Sequence, residues 1–422
     1  MREMKDSGIE WIGEIPNSWT VRRGKTLFVN TKYIPGKLSS NYDRLSLTLK
    51  GVLPRKKDDS DGLQPKDFDT YQLLRENELV FKLIDLQNVS TSRVGLAHAT
   101  GLVSPAYIVL HANEEILPAF AEKFYLMMWY REIFNSLGDN GVRSSLNVSD
   151  LLNIPVCYPK MEEQIFLTNY LDTKCSEIDA TAEDIQKEID LLEEYKKSVI
   201  TEAVTKGLNP DAEMKDSGVE WIGEIPKHWE IIRIGYILGE IDRRSITGME
   251  ESLSVSQVLG VVPSSQIAVP STASTMVGQK IVEPGELVLN KLKAHLGVCF
   301  VSNYKGLVSP DYAVYKANEK VKSKLLEYVF HTASCIWEFK KYITGVGQGL
   351  SRLYTKDLFR INVALPDMLE QQQIVSYLDS KCSEIDSLIA DKKRQLDILA
   401  DYKKSLIYEY VTGKKEVPVN DF

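Results

Sequence analysis

The chain of 422 residues repeats itself, and that repetition limits what it can fold into more than any single motif does. Met4 to Trp19 reads MKDSGIEWIGEIPNSW and Met214 to Trp229 reads MKDSGVEWIGEIPKHW, identical at 13 of 16 positions with an offset of 210. Tyr170 to Ala180, YLDTKCSEIDA, returns as Tyr377 to Ser387, YLDSKCSEIDS, identical at 9 of 11 positions with an offset of 207. Between these anchors the echoes weaken: Glu78-Leu-Val80 answers Glu286-Leu-Val288 at 208, and LVSPAY from Leu102 answers LVSPDY from Leu307 at 205. A drifting offset marks small insertions and deletions, which loops tolerate and packed elements do not. Each copy is a repeated frame around a divergent insert.

The later part of the frame has a helical period. Leu171, Cys175, Ile178, Ala182, Ile185, Ile189, Leu192 and Val199 alternate spacings of four and three, with Lys196 breaking the stripe. The second copy keeps the register with Leu378, Cys382, Ile385, Ile389, Leu396, Leu399 and Leu406, interrupted by Lys392 and Lys403. Two matching seams can pair. The lysines either fix register by excluding other pairings or snorkel to water. Pro159 with Glu162 and Glu163, and Pro366 with Glu370 and Gln371, supply start signals, and Gly207 with Pro210 supplies a stop.

The inserts, residues 20–160 and 230–367, read as mixed α/β. Runs such as Glu78–Phe81, Ala106–Leu110, Gly285–Leu289 and Tyr312–Tyr315 predict strands, and 119–137 and 324–342 predict helices. The net charge of −8 argues against a nucleic-acid partner only until it is divided. The inserts hold 18 basic against 15 acidic and 16 basic against 13 acidic residues, which leaves 17 basic and 31 acidic for the frame. Net-positive inserts suit phosphates, and acidic helices do not.

No apolar run is long enough for a membrane span and the start carries no apolar h-region, so a cytoplasmic protein is expected. Five scattered cysteines without C-x-x-C argue against disulfides and zinc. Gly24-Lys25-Thr26 ends like a P-loop, but its first glycine would fall on Trp19. With no Gly-rich nucleotide motif, nucleophile elbow or histidine cluster, catalysis by this chain is not expected.

The duplicated W-I-G-E-I-P-x-x-W opening, the divergent insert and the Y-L-D-x-K-C-S-E-I-D run leading into Tyr195–Ser198 and Tyr402–Ser405 resemble the specificity subunit of type I restriction-modification systems. The resemblance implies two α/β (α+β) recognition domains, pseudo-repeated, separated by a pair of long antiparallel coiled-coil helices. It divides the chain into a first target recognition domain (1–160, frame 1–19), a first spacer helix (161–208), a second recognition domain (209–367, frame 214–229), a second spacer helix (368–413) and a tail (414–422). It implies double-stranded DNA as ligand, each domain reading half of a bipartite target. Its implied partners are two methyltransferase subunits docked on the helices, and restriction (motor-nuclease) subunits. S-adenosylmethionine, ATP and Mg2+ belong to those partners, with no cofactor in this chain. The alternative is a non-catalytic scaffold with two protein-binding modules and no DNA contact.

Base edges are read by forked polar side chains. The candidates in the first insert are Arg55, Lys56 and Lys57, Lys82, Arg93, and the run Arg143, Ser144, Ser145, Asn147. In the second they are Arg243, Arg244, Lys280, then Asn290, Lys291, Lys293 and His295 after a strand, and Ser351, Arg352 and Tyr354 in the slot of Ser144, Ser145 and Asn147. Trp11, Trp19, Trp221 and Trp229 belong to the frame and are read as packing of the domain base.

Overall fold

Each insert enters and leaves its frame through one antiparallel strand pair, so its length can vary without moving the frame. In a computed structural model describing residues 2–56, 68–86, 91–137, 145–267, 276–343 and 351–418, Thr20–Arg23 pairs with Pro155–Tyr158, and Glu230–Arg233 pairs with Asn362–Leu365. The chain divides into two units, Met1–Gln186 with Arg394–Phe422, and Lys187–Lys393. The fold is mixed α and β in both.

In the first unit the frame hairpin Met4–Asp6 with Glu14–Pro16 leads into an antiparallel sheet ordered Phe28–Asn30, Ile108–Ala112, Leu79–Phe81, Val94–Leu96. A second sheet is ordered Gly51–Arg55, Arg44–Thr48, Gly101–Val103, Gln72–Leu74. Helix Pro118–Tyr130 buries Phe120, Phe124, Tyr125 and Met128 against the first sheet's cluster, with Phe81 edge-on to Tyr125 at 4.9 Å. The second unit repeats the plan with the sheet Leu238–Ile241, Tyr312–Ala317, Leu287–Asn290, Cys299–Val301. Its smaller strand pairs are Leu253–Ser256 with Gly260–Pro263, and Lys280–Val282 with Gly306–Val308. Helices Ser323–Phe330 and Ala333–Tyr342 cover the sheet.

Helices Met161–Lys206 and Met368–Val411 each give their first half to one unit and their second half to the other. In the first unit Leu171, Cys175 and Ile178 share a core with Leu406, Ile407 and Tyr410. In the second, Val199 and Ala203 share one with Leu378 and Cys382. Ile185, Ile189, Ile385 and Ile389 are also buried, whereas Leu192, Leu396 and Leu399 are half-buried.

The lysines that interrupt the stripe are not simply snorkelling. Lys403 Nζ donates to both oxygens of Asp179 at 2.7 Å, and Lys196 Nζ donates to Asp386 at 2.6 and 2.7 Å. Lys392 pairs with Glu188 at 2.5 Å. The repeated S-E-I-D therefore meets the repeated Y-K-K-S of the opposite copy in both units. These pairs are partly exposed and contribute about 1 kcal/mol at most, so their effect is chiefly on register.

Of the frame tryptophans, Trp19 and Trp229 are core, each 1% exposed, while Trp11 and Trp221 are half-buried against it. Trp19 Nε1 donates to Glu163 at 3.3 Å and its carbonyl accepts from Lys5 at 2.6 Å; Trp229 uses Glu370 at 3.2 Å and Lys215 at 2.7 Å. The neighbouring glutamines clamp the helix starts to the inserts. Gln164 accepts from the Leu117 amide and donates to the carbonyls of Glu115 and Pro159, while Gln371 accepts from the Lys322 amide and donates to those of Lys320 and Pro366. Among the described residues no helix is long and apolar enough to cross a membrane.

Both long helices stop at a glycine in the left-handed region, Gly207 (φ 74°) and Gly413 (φ 69°). A Cβ at Gly207 would meet the mobile end of Glu370 at 2.9 Å, whereas at Gly413 it would collide with the rigid Pro16 ring. We expect Gly207→Ala to cost about 1 kcal/mol, the strain of its φ alone. Gly413→Ala should cost more, each kcal/mol lowering Tm by about 2–4 °C. Equal small losses in thermal melts would contradict this packing.

His331, packed on Phe300 at 4.7 Å, is held below the ordinary histidine value by burial, with Glu327 partly opposing. The unfolded chain then binds more protons than the folded one, so stability falls as pH drops through about 6.5. His331→Gln should flatten the stability slope between about pH 7 and 5 in denaturant titrations. An unchanged slope would assign the acid sensitivity elsewhere.

Candidate nucleic-acid interface

A basic residue can read a base only if its end reaches solvent. In the second unit, strand Leu287–Asn290 runs into the short helix Lys291–Leu296, and Asn290 Oδ1 accepts from the amides of Leu292 and Lys293 at 3.1 and 3.3 Å. The Leu353 amide donates to the Lys291 carbonyl at 3.1 Å, which brings the loop 351–354 beside this helix. A cleft of about 300 Å³ results, lined by Glu240, Lys291, Tyr354, Thr355 and Lys356. Burial and then Lys280 hold the Lys291 amine below its usual value, with Glu240 and Asp311 opposing. Arg352 pairs with Asp311 at 3.4 Å, Lys293 is exposed and His295 is half-buried. Ser351 is half-buried and Tyr354 exposed.

The first unit uses the same backbone contact. The Leu146 amide donates to the Leu83 carbonyl at 2.9 Å, placing exposed Ser145 and Asn147 beside the loop that follows strand Leu79–Phe81. Lys82 is half-buried, its Nζ 3.0 Å from Thr91 Oγ1, and its amine is lowered by burial and then by Arg93. A second cleft, about 320 Å³, lies on the sheet of Arg44–Thr48 and is lined by Arg44, Ser46, Thr48, Arg55, Tyr71, Thr91, Ser104 and Tyr107 with Leu45 and Leu47. Burial, then Tyr71, pushes the Tyr107 hydroxyl above its usual range, with Arg44 and Arg93 opposing, so it remains protonated.

Six candidates need correction. Arg93 is fully buried, and its guanidinium donates to the carbonyls of Lys82, Ile84 and Asp85, bracing that loop from inside. Lys280 is 3% exposed and sits 3.3 Å from Glu240. Buried Asn290 is a helix cap, and Asn147 forms a capping box with Asp150. Arg243 is tied to Glu286 and Glu283, and Arg244 to Asp242 and the Gly278 carbonyl. Lys56 is exposed and Arg55 half-buried, while Lys57, Arg143 and Ser144 lie outside the described residues.

The sequence reading missed Arg44, Tyr71, Tyr107, Glu240 and Lys356. For Arg44 a signal existed: in RLSLT, Arg44, Ser46 and Thr48 alternate with buried Leu45 and Leu47, the pattern of a strand with one polar face.

The first unit also holds a cleft of about 730 Å³ between the hairpin at 49–53, helix Pro118–Tyr130 and the long helices, crossed by Lys50–Glu183 at 3.3 Å and Lys123–Asp172 at 2.7 Å. Its charges are mixed and mutually paired. The five cysteines are free and buried, and among the described residues no group of three His, Cys, Asp or Glu is arranged to hold a metal.

Residues 271–397 match the type I restriction modification DNA specificity domain. The chain is 24% identical to the putative type I restriction enzyme MjaX specificity subunit of Methanocaldococcus jannaschii, over 96% of each chain. It is 19% identical to the type I restriction enzyme EcoDI specificity subunit of Escherichia coli, over 95% of this chain and 90% of that one. Among solved structures, it matches a chain from work on complex assembly and conformational transition of the type I R-M system at a TM-score of 0.68, with 14% identity over 95% and 99% of the two chains. The HsdS subunit of Thermoanaerobacter tengcongensis matches at 0.50, with 16% identity over 95% and 98%. The duplicated frame and the paired helices accompany these likenesses: along nearly its whole length the chain is similar to specificity subunits of type I restriction enzymes.

Proposed function

We propose that each insert reads one half of a bipartite double-stranded DNA target, while the long helices set the gap between the halves and dock two methyltransferase subunits. The observation that carries this reading is one loop-to-loop contact that recurs in two divergent inserts carrying different polar side chains. In both units an amide of the later loop bonds to a carbonyl of the loop after the sheet's central strand, Leu146 to Leu83 and Leu353 to Lys291. One scaffold thus presents two different sets of side chains, as a split target requires.

Catalysis, with S-adenosylmethionine, ATP and Mg2+, is assigned to the methyltransferase and motor-nuclease partners, and the complex to the cytoplasm. This chain supplies position and sequence. Phosphate contacts fix orientation, and a few forked side chains discriminate bases.

Methylome sequencing of cells expressing the chain with its methyltransferase partner should return one motif of two half-sequences separated by a fixed gap. Replacing residues 230–367 with a relative's insert should change one half only; both halves changing, or no bipartite motif, would overturn the reading. Lys293→Ala, at an exposed position, should weaken binding by about 1–3 kcal/mol with relaxed preference at one base pair if it reads a base. A uniform loss with a shallower salt slope would make it a phosphate contact.

A further inference from the structure

The cleft of the second unit sets a hydrogen-bond acceptor beside a donor. Glu240 stands on the edge strand Leu238–Ile241, directly opposite Tyr315 of the neighbouring strand, and the Tyr315 hydroxyl lies 3.0 Å from Thr355 Oγ1. That contact ties the sheet to the short helix Thr355–Leu358, which carries Lys356. Buried Lys280 donates to Glu240 Oε1 at 3.3 Å, while Glu240 Oε2 makes no hydrogen bond among the described residues. The carboxylate is held through one oxygen, and the other stays available to a ligand.

Lys291 lines the same cleft. Its carbonyl accepts from the Leu353 amide at 3.1 Å, and the turn it opens is capped by Asn290, so the backbone that carries it is fixed. The residue is half-buried, and its amine makes no hydrogen bond or ion pair among the described residues. A partly buried ammonium without a partner is costly, and a ligand rich in acceptors offsets that cost. Glu240 is near enough to favour the charged form of this amine. One cation and one anion thus share a small cleft, each with hydrogen-bonding capacity to spare.

We propose that this cleft reads one G·C base pair in the half-site of the second unit, with Lys291 donating to guanine O6 and N7 and Glu240 accepting from the cytosine N4 amino group. The order of groups in the major groove carries the choice. A G·C pair shows two adjacent acceptors and then a donor, which one ammonium beside one carboxylate matches. An A·T pair sets its donor between two acceptors, so Glu240 would need a reading donor on each side. Lys356, the other lysine of the lining, is exposed and suits a flanking phosphate. This assignment rests on the DNA-reading function proposed above and adds the base pair that the second insert selects.

The test uses the full-length chain, co-expressed with a type I methyltransferase subunit, to select from a random duplex library whose retained fraction is sequenced. The second unit's half-site is the one that changes on exchange of residues 230–367. It should contain a G·C pair whose preference falls about tenfold or more in Lys291→Ala and in Glu240→Gln, with the other half-site unchanged. Relaxation of the same pair by both variants is what a merely structural role would not give. With the unaltered chain, 7-deazaguanine, which lacks N7, and N4-methylcytosine, whose methyl group occupies the major-groove side of the amino group, should each weaken binding by a similar factor. Those two duplexes need no variant to fold. Unchanged selection in either variant, relaxation at different pairs or at an A·T pair, an equal loss across all sequences with a shallower salt slope, or full binding to either modified duplex overturns the assignment. An unaltered chain that selects no sequence overturns the DNA-reading function, and this assignment with it.

Discussion

Neither long helix can cover its own apolar stripe, and the structure follows from how that stripe is covered. Leu171, Cys175 and Ile178 of the first copy are buried with Leu406, Ile407 and Tyr410 of the second, and Leu378 and Cys382 of the second with Val199 and Ala203 of the first. Each unit is therefore assembled from both copies of the repeat. The Asp179–Lys403 and Asp386–Lys196 pairs recur at the same place in the two units and select this antiparallel register over slipped ones.

The same requirement explains which parts of the sequence repeat. Trp19 and Trp229 seal the place where one helix stops and the other starts, each tied to a lysine carried by its own hairpin and to a glutamate on the starting helix. Gln164 and Gln371 each hold a helix start to the insert with three hydrogen bonds. The frame also packs on the insert helices, Trp19 against Phe120 and the Tyr328 hydroxyl donating to Asp379 at 2.7 Å, so divergence falls on the surfaces of the inserts away from it. Their reading surfaces can diverge while the helices and their register stay fixed.

Much of this architecture was legible because it is periodic or duplicated. The seam showed as spacings of four and three, the frame tryptophans as members of the repeat, and the inserts as the divergent remainder. What the seam lysines do was open, since spacing cannot name the carboxylate on the facing helix. The site was less legible for a physical reason. The long side chains of Arg93 and Lys280 end several bonds from the backbone, and the sequence does not say whether that end turns inward to carbonyls and carboxylates, as both do. Asn147 and Asn290 precede helical turns, where capping competes with base recognition for the same oxygen. Arg44 is one basic residue on a strand, and only the alternation around it, with Leu45 and Leu47 buried, marks its polar face.

The exchange of helix halves is the claim on which the account turns, and a chain ending at Asp211 tests it directly. Such a chain keeps the first unit's insert and helix start but lacks residues 394–411. The account predicts that it forms a homodimer in analytical ultracentrifugation, the helix end 187–206 of each copy covering Leu171 to Ile178 of the other. That dimer should be less stable than the intact chain, because Ala203 stands where Tyr410 packs on Tyr170 at 4.9 Å. A folded monomer as stable as the intact chain would contradict the exchange.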